Sequence, residues 1–326
     1  MARGMGMNEQ SKVAWRRHPN DLLQLHDNGL ISRDVEPHKQ FQWQNIESED
    51  WFKKIKELIG EDWYYYNSDI TLSYQYDDLG FRNHELVWKN QDDYRNTTHR
   101  PYGLVTGSSI TEGSGMFLND LWWRKFRHTK IYNTALAGID TTIIAYNLGA
   151  FLRMFPKPEF VIVSLPITTY NYSLRSPANG TGGLVRNLGP WVKALDTNPA
   201  YGHFLDGRRD IEADKWSNAI AIENIKNICR SYGISLYWVD HNSTVNENIH
   251  PDSPLYGAIS YTDKVICKPN PYHWDADNNM EQVYKRLTQG EPWKEFKKPH
   301  ARDGMHPGAD WHLELANEIR EKWLIE

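Results

Sequence analysis

Three short stretches of this 326-residue chain hold residue types that could together carry out acyl transfer. Gly107-Ser108-Ser109 follows an apolar run. A serine at a strand-to-helix turn projects its hydroxyl from the backbone, and the helix N-terminus beside it favours a developing negative charge. Ala137-Gly138-Ile139-Asp140 follows a second apolar run, and glycine there lets a backbone N–H approach a substrate oxygen closely. Asp303-Gly304-Met305-His306-Pro307 stands near the chain end. Three residues apart on a turn, the Asp303 carboxylate can fold back onto the His306 imidazole and fix its tautomer. Each signal is common alone. The serine could be a plain helix N-cap, Gly138 a tight connection, and with 13 His in the chain about one Asp-x-x-His is expected by chance. Their order along the chain carries the weight.

The elements that must position these residues alternate. Tyr102–Thr106, Ile131–Leu136, Phe160–Leu165 and Ile234–Val239 read as short buried strands. Helices are expected through Met116–Phe126, over Thr141–Phe155, over Asp214–Tyr232 with Gly233 as its C-terminal cap, and over Asp310–Leu324. Strands alternating with helices imply βαβ units and a parallel sheet, where ligands bind beyond the carboxyl ends of the strands. Ser109 and Gly138 fall at such ends. Upstream, Ser48-Glu49-Asp50 should cap a helix carrying Trp51, Ile55, Leu58 and Ile59 and ending at Gly60, and Ile70–Tyr76 alternates like a strand. The predicted organisation is an accessory segment over residues 1–100 and an α/β domain over 101–326. Long insertions interrupt that domain at about 171–213 and 242–301, lengths more usual for functional loops than for plain connections.

Composition excludes several classes. A formal net charge of -5 argues against a nucleic-acid binder, and a mean hydropathy of -0.70 goes with no run of apolar residues long enough to span a membrane. Met1–Gln10 has no apolar core of a secretory signal, so a cytoplasmic location is the default expectation. Cys229 and Cys267 are too few for a disulfide framework, and Cys229 should pack within a helix. Neither a cofactor nor a metal is expected: His250, His273, His300 and His312 lack tight ligand spacing and read as surface or structural residues. His241, after Asp240 at the fourth strand end, reads as a polar loop residue close to the site. The 14 Trp, 18 Tyr and 10 Phe serve cores and recognition surfaces alike. Trp43, Trp51 and Trp63 should help the N-terminal segment dock, whereas Trp191, Tyr201, Tyr261, Tyr272, Trp274 and Trp293 lie in the insertions.

The ordered blocks resemble the SGNH, or GDSL, hydrolase family. Gly107-Ser108-Ser109-Ile110-Thr111-Glu112-Gly113 is similar to its first block, with Ser109 in the nucleophile position. Asn133-Thr134-Ala135-Leu136-Ala137-Gly138 matches its second block, Asp303 to Pro307 its last, and Asp78-Leu79-Gly80-Phe81-Arg82 an element preceding the serine block in longer members. The resemblance covers roughly residues 78 to 326. It implies a three-layer α/β/α fold with a central, mostly parallel five-stranded sheet of flavodoxin-like type. Two departures stand out. Ser108 replaces the family's aspartate, and Leu165-Pro166-Ile167-Thr168-Thr169-Tyr170-Asn171 lacks the third-block asparagine that donates to the oxyanion. Losing one such donor costs about 2.7–4 kcal/mol in the barrier, so Thr168, Thr169 or Asn171 is the candidate substitute.

The resemblance implies a serine esterase cleaving a small O-acyl ester, with a carbohydrate acetyl ester as one candidate. Ser109 would be the nucleophile, His306 the base, Asp303 its orienting partner, and the Ser109 and Gly138 N–H groups oxyanion donors. Because the imidazole must be neutral to accept a proton, activity should rise through about pH 6–7. Aromatic faces in the insertions could stack on a sugar or form a local core. Two alternatives remain: a binding or structural protein that kept the fold and lost the rate, and an O-acyltransferase using the same Ser109 and His306. Oligomeric state stays open.

Overall fold

The sheet is built from strands whose alternate residues are apolar on both faces. In β5 (Tyr102–Gly107) Leu104 and Val105 point to opposite sides, as do Val161 and Ile162 in β7 (Phe160–Ser164) and Trp238 and Val239 in β10 (Ser235–Asp240). A strand buried on both faces must lie inside a sheet covered by helices on each side. The computed structural model describes residues 23–43, 49–61, 63–67, 72–83, 101–126, 130–165, 172–175, 184–188, 211–241, 264–268, 301–303 and 306–325. Among these, β6 (Lys130–Asn133) and β11 (Lys264–Cys267) complete a five-stranded sheet in the order β11-β10-β7-β5-β6. Every pairing in it is parallel. Counted within the sheet, that order is 2-1-3-4-5, the flavodoxin-like arrangement, which places its topological switch between β5 and β7.

One layer holds α3 (Thr141–Met154) and α4 (Ile211–Tyr232). Ile144, Leu148, Phe151, Ile222 and Ile225 from these helices pack with Leu104, Val161, Val163 and Trp238. The opposite layer holds α5 (Ala309–Trp323), whose Trp311, Leu315 and Ile319 pack with Val105, Ile162, Val239 and Ile266. The result is the expected three-layer α/β/α architecture. Asp140 caps α3 by accepting from the Ile143 N–H at 2.8 Å, and Gly233, at φ +62°, ends α4.

The segment before β5 enters both cores. Its short strands β1 (Leu23–Leu25) and β2 (Ile31–Arg33) pair antiparallel, and β1 also pairs with β9 (Leu184–Leu188), beside β8 (Tyr172–Arg175), in a second sheet ordered β2-β1-β9-β8. The strands β3 (Gln40–Phe41) and β4 (Tyr74–Gln75) form a two-stranded ribbon. The helix α1 (Glu49–Ile59) buries Phe52 and Ile55, and Gly60 follows it at φ +89°. Trp43, Phe52, Trp63 and Tyr65 make a chain of ring contacts, with centroids 5.7–6.1 Å apart, that joins Trp122 and Trp123 in the α5-side core. The Trp51 side chain, Ser48 and Ile70 lie outside the described residues.

Two local expectations need correction. The expected helix through Met116–Phe126 is instead two 3₁₀ turns, Leu118–Asp120 and Trp122–Lys125, because Phe117 and Leu121 adopt extended backbone angles. Trp122 and Trp123 are both buried there. The second strand stops at Asn133 rather than Leu136, since the Asn133 side chain turns the backbone by accepting from the Ala135 N–H at 2.9 Å.

Candidate active site

The serine turn begins at Gly107, which pairs with Ser164 of β7. A Cβ on Gly107 would lie 2.5 Å from the Ser164 carbonyl oxygen and 2.9 Å from Thr111 Oγ1, so only glycine allows this approach. Ser108 then takes an extended conformation as N-cap of the single-turn helix α2 (Ser109–Glu112). Its carbonyl accepts from Thr111 and Glu112, while its hydroxyl makes no capping bond. Ser109 is the first helical residue and is half-exposed between buried neighbours.

Ahead of α5, Asp303 and His306 lie side by side. One Asp303 oxygen accepts from the His306 backbone N–H at 3.0 Å, and the other lies 2.5 Å from His306 Nδ1. A carboxylate only accepts, so Nδ1 donates and Nε2 is left with its lone pair. That Nε2 lies 2.8 Å from Ser109 Oγ. The chain Asp303–His306–Ser109 is therefore continuous across residues nearly two hundred apart in sequence. Asp303 is 1% exposed while the His306 side chain is 17% exposed, so solvent or a small substrate reaches the chain from the serine side.

The acid turn is anchored from two directions. Gly115, at φ +73°, packs so closely that a Cβ would lie 2.9 Å from the Asp303 nitrogen, and its carbonyl accepts from the Arg302 N–H at 2.7 Å. The Arg302 guanidinium donates to the carbonyls of Leu72 (3.2 Å) and Gln42 (2.5 Å) and lies 4.5 Å from the Trp43 ring centre. The N-terminal segment thus holds the turn that carries Asp303.

Gly138 sits in the loop after β6 at φ +77°, half-exposed. The loop is tied to the serine turn by Leu136 N–H donating to the Gly107 carbonyl at 3.1 Å, and Ala137 N–H donates to Glu112 Oε2 at 2.6 Å. Asn133, its strand anchor, accepts from the Ala135 N–H at 2.9 Å through its side chain, donates from its side chain to the Arg82 carbonyl at 3.2 Å, and donates its backbone N–H to Asn83 Oδ1 at 3.0 Å. The Asp77–Asn83 turn is fixed in the same way. The Asp77 carboxyl accepts from Leu79, Phe81, Asn83 and Tyr132, and burial pushes its pKa above the ordinary carboxylate value. Arg82 in that turn donates to the carbonyls of Glu112 (3.2 Å), Gly113 and Met116 (2.7 Å), satisfying the C-terminal end of α2. Sequence inspection finds this Gly-Phe-Arg element but gives no sign of its role as a cap for the serine helix.

His241 follows directly on β10 and is buried. Its Nδ1 donates to the Lys268 carbonyl at 3.2 Å, so Nε2 accepts from the Ser164 hydroxyl at 2.7 Å. Burial lowers its pKa to about 4. His312, on α5, accepts from the Trp122 N–H at 3.3 Å. Burial first, then the neighbouring His241, His306 and Lys125, lower its pKa to about 3. Both therefore form a neutral polar layer beneath the sheet edge. Thr168, Thr169 and Asn171, His250, His273 and His300, and the insertion residues Trp191, Tyr201, Tyr261, Tyr272, Trp274 and Trp293 lie outside the described residues. Among the described residues no group of three or more His, Cys, Asp or Glu side chains could hold a metal, and no helix is long and apolar enough to cross a membrane.

No protein-family model matches the sequence, and no curated protein matches it. Among solved structures, it is similar to a member of the lipolytic protein G-D-S-L family from Veillonella parvula DSM 2008. The identity is 11%, over 69% of this chain and 99% of that one, with a TM-score of 0.37. It is also similar to a mutant of the esterase AlinE4 at 12% identity, over 60% of this chain and 96% of that one, with a TM-score of 0.32.

Proposed function

We propose that this chain is a serine esterase of SGNH type that cleaves a small O-acyl ester, with a carbohydrate acetyl ester as the substrate class, and that residues 101–326 carry the hydrolase unit while 1–100 form an accessory segment. The observation that carries the reading is the hydrogen-bonded chain from Asp303 through His306 to Ser109 Oγ, at 2.5 and 2.8 Å. In this mechanism His306 Nε2 takes the Ser109 proton as Oγ attacks the ester carbonyl, then returns it to the departing alcohol oxygen. Asp303 holds the tautomer and stabilises the imidazolium. The N–H groups of Ser109, at the start of α2, and Gly138 face the developing oxyanion, with Thr168, Thr169 or Asn171 as the third donor. The acyl-serine is then hydrolysed by water activated at the same imidazole.

A fluorophosphonate probe tests the nucleophile. The folded protein should label at one serine, and Ser109→Ala should abolish labelling and lower kcat on a 4-nitrophenyl ester by roughly 10³-fold or more. Folded protein that neither labels nor turns over would sink the esterase reading and favour a binding role. Product analysis with an added acceptor alcohol then separates hydrolysis from transfer to that alcohol.

A further inference from the structure

A second set of polar groups lies under the proposed site without touching a substrate position. Glu112 is the last residue of α2, three residues after Ser109, and is completely buried. Arg33, the last residue of β2, lies 79 positions earlier in the chain and is 1% exposed. Its Nε donates to Glu112 Oε1 at 3.1 Å and its Nη2 to Oε2 at 2.9 Å, a two-pronged contact. The Tyr76 hydroxyl adds a bond to Oε1 at 3.3 Å, and the Ala137 N–H one to Oε2 at 2.6 Å. Among the described residues, the partners of this carboxylate come from the N-terminal segment and from the loop that carries Gly138.

We propose that Glu112 is a positioning residue that sets the spacing of the two backbone oxyanion donors, with Arg33 locking it in place; this rests on the esterase reading above. Glu112 and Ser109 share one helical turn, so the carboxylate is fixed relative to the Ser109 N–H. The same carboxylate binds the N–H of Ala137, whose own carbonyl carbon is bonded to the Gly138 nitrogen. One side chain thus spans from one donor to the residue adjoining the other. Gly138, at φ +77°, takes a conformation open to glycine, and the bond at Ala137 fixes the peptide that leads into it. Without Arg33 a carboxylate buried so completely would lack its charge partner, which explains why a residue of the N-terminal segment reaches the centre of the molecule. The N-terminal segment is accordingly part of the catalytic geometry.

The test uses the full chain, with 4-nitrophenyl acetate as substrate and fluorophosphonate labelling to count live serines. Glu112→Met, which removes the carboxylate that accepts from the Ala137 N–H, should lower kcat per labelled serine about 10- to 100-fold, as expected for an oxyanion donor displaced by a fraction of an ångström, with KM within about twofold. A paired variant, Arg33→Met with Glu112→Met, removes the charges together and so keeps a folded core. It should retain the wild-type melting temperature within a few degrees yet keep the low kcat, because Ala137 still lacks its acceptor. Unchanged kcat per labelled serine in Glu112→Met, or full kcat in the paired variant, overturns the inference while leaving the esterase reading intact. A wild-type protein that neither labels nor turns over overturns the esterase reading instead. Amide exchange at Ala137 and Gly138 then decides the tether. Faster exchange in Glu112→Met supports it, and unchanged exchange removes it.

Discussion

Replacing Asp303 by Asn separates two things its carboxylate does. One oxygen holds the turn by accepting from the His306 N–H, and the other orients the imidazole through Nδ1. An asparagine side-chain oxygen can take over the first role. Its amide NH₂ facing Nδ1 cannot accept, so the imidazole is driven to the tautomer whose Nε2 carries the proton and cannot take another from Ser109. Asp303→Asn should therefore fold normally, keep KM, and lose roughly 10³- to 10⁴-fold in kcat. Steady-state kinetics together with a thermal melt checks this, and a melting-temperature collapse that accounts for the lost rate would contradict it. At this scale the sequence is most legible where a short-range spacing expresses the chemistry: Asp303 and His306 are three apart, and Ser109 stands at a strand end. Glu112 and Arg33 were not legible. Nothing in a Glu at position 112 announces that its partner is an Arg at position 33, since a buried pair is defined by packing and not by local pattern.

At the scale of elements, two glycines give opposite predictions. Gly107 ends the central strand β5, and a Cβ there would sit 2.5 Å from the Ser164 carbonyl oxygen on the neighbouring strand. Neither backbone can retreat, because both are paired on either side. Gly107→Ala should cost on the order of 1–3 kcal/mol or more in urea unfolding. Gly149 lies inside α3, where an added Cβ would meet Ile228 Cδ1 at 3.5 Å and Arg153 Nη1 at 3.6 Å, ordinary contact distances. Gly149→Ala should stabilise by about 0.5–1 kcal/mol, since alanine loses less backbone freedom in a helix. The same urea measurement decides both, and equal signs would refute the packing argument. Sequence pattern located the four long-range strands because each is a dense apolar run, and it located α3 and α5 by their stripes. It did not find β11, four residues within a long insertion, because Lys264–Cys267 is too short to show a period. Nor did it pair β1 with β9, because Leu23 meets Val185 across 162 positions and only tertiary packing selects that register.

For the whole molecule, the buried histidines set an acid limit on stability. His241 and His312 lie under the carboxyl edge of the sheet, one on the strand side and one on α5, and burial holds their pKa values near 4 and near 3. Unfolded, each titrates at about 6.5. Below pH 6.5 the unfolded chain therefore binds protons that the folded chain refuses, and stability falls as pH drops. The contribution is full above about pH 6.5 and is lost progressively down to about pH 4 for His241 and lower for His312. In the middle of that window each group adds a slope of about 1.4 kcal/mol per pH unit. Asp77 acts in the opposite sense: burial raises its pKa, so the folded state takes up a proton more readily than the unfolded chain does. Between pH 5 and 6 the histidines should dominate. Urea unfolding at several pH values should give a stability that rises with pH there, and His312→Gln, which removes one titrating group, should flatten the slope by about one proton. This loss is distinct from any pH dependence of turnover at His306, because it appears in unfolding free energy with no substrate present. A slope unchanged by that substitution would mean His312 is not held neutral by the fold, and the close packing of α5 on the carboxyl edge would have to be looser than its buried Trp311, Leu315 and Ile319 indicate.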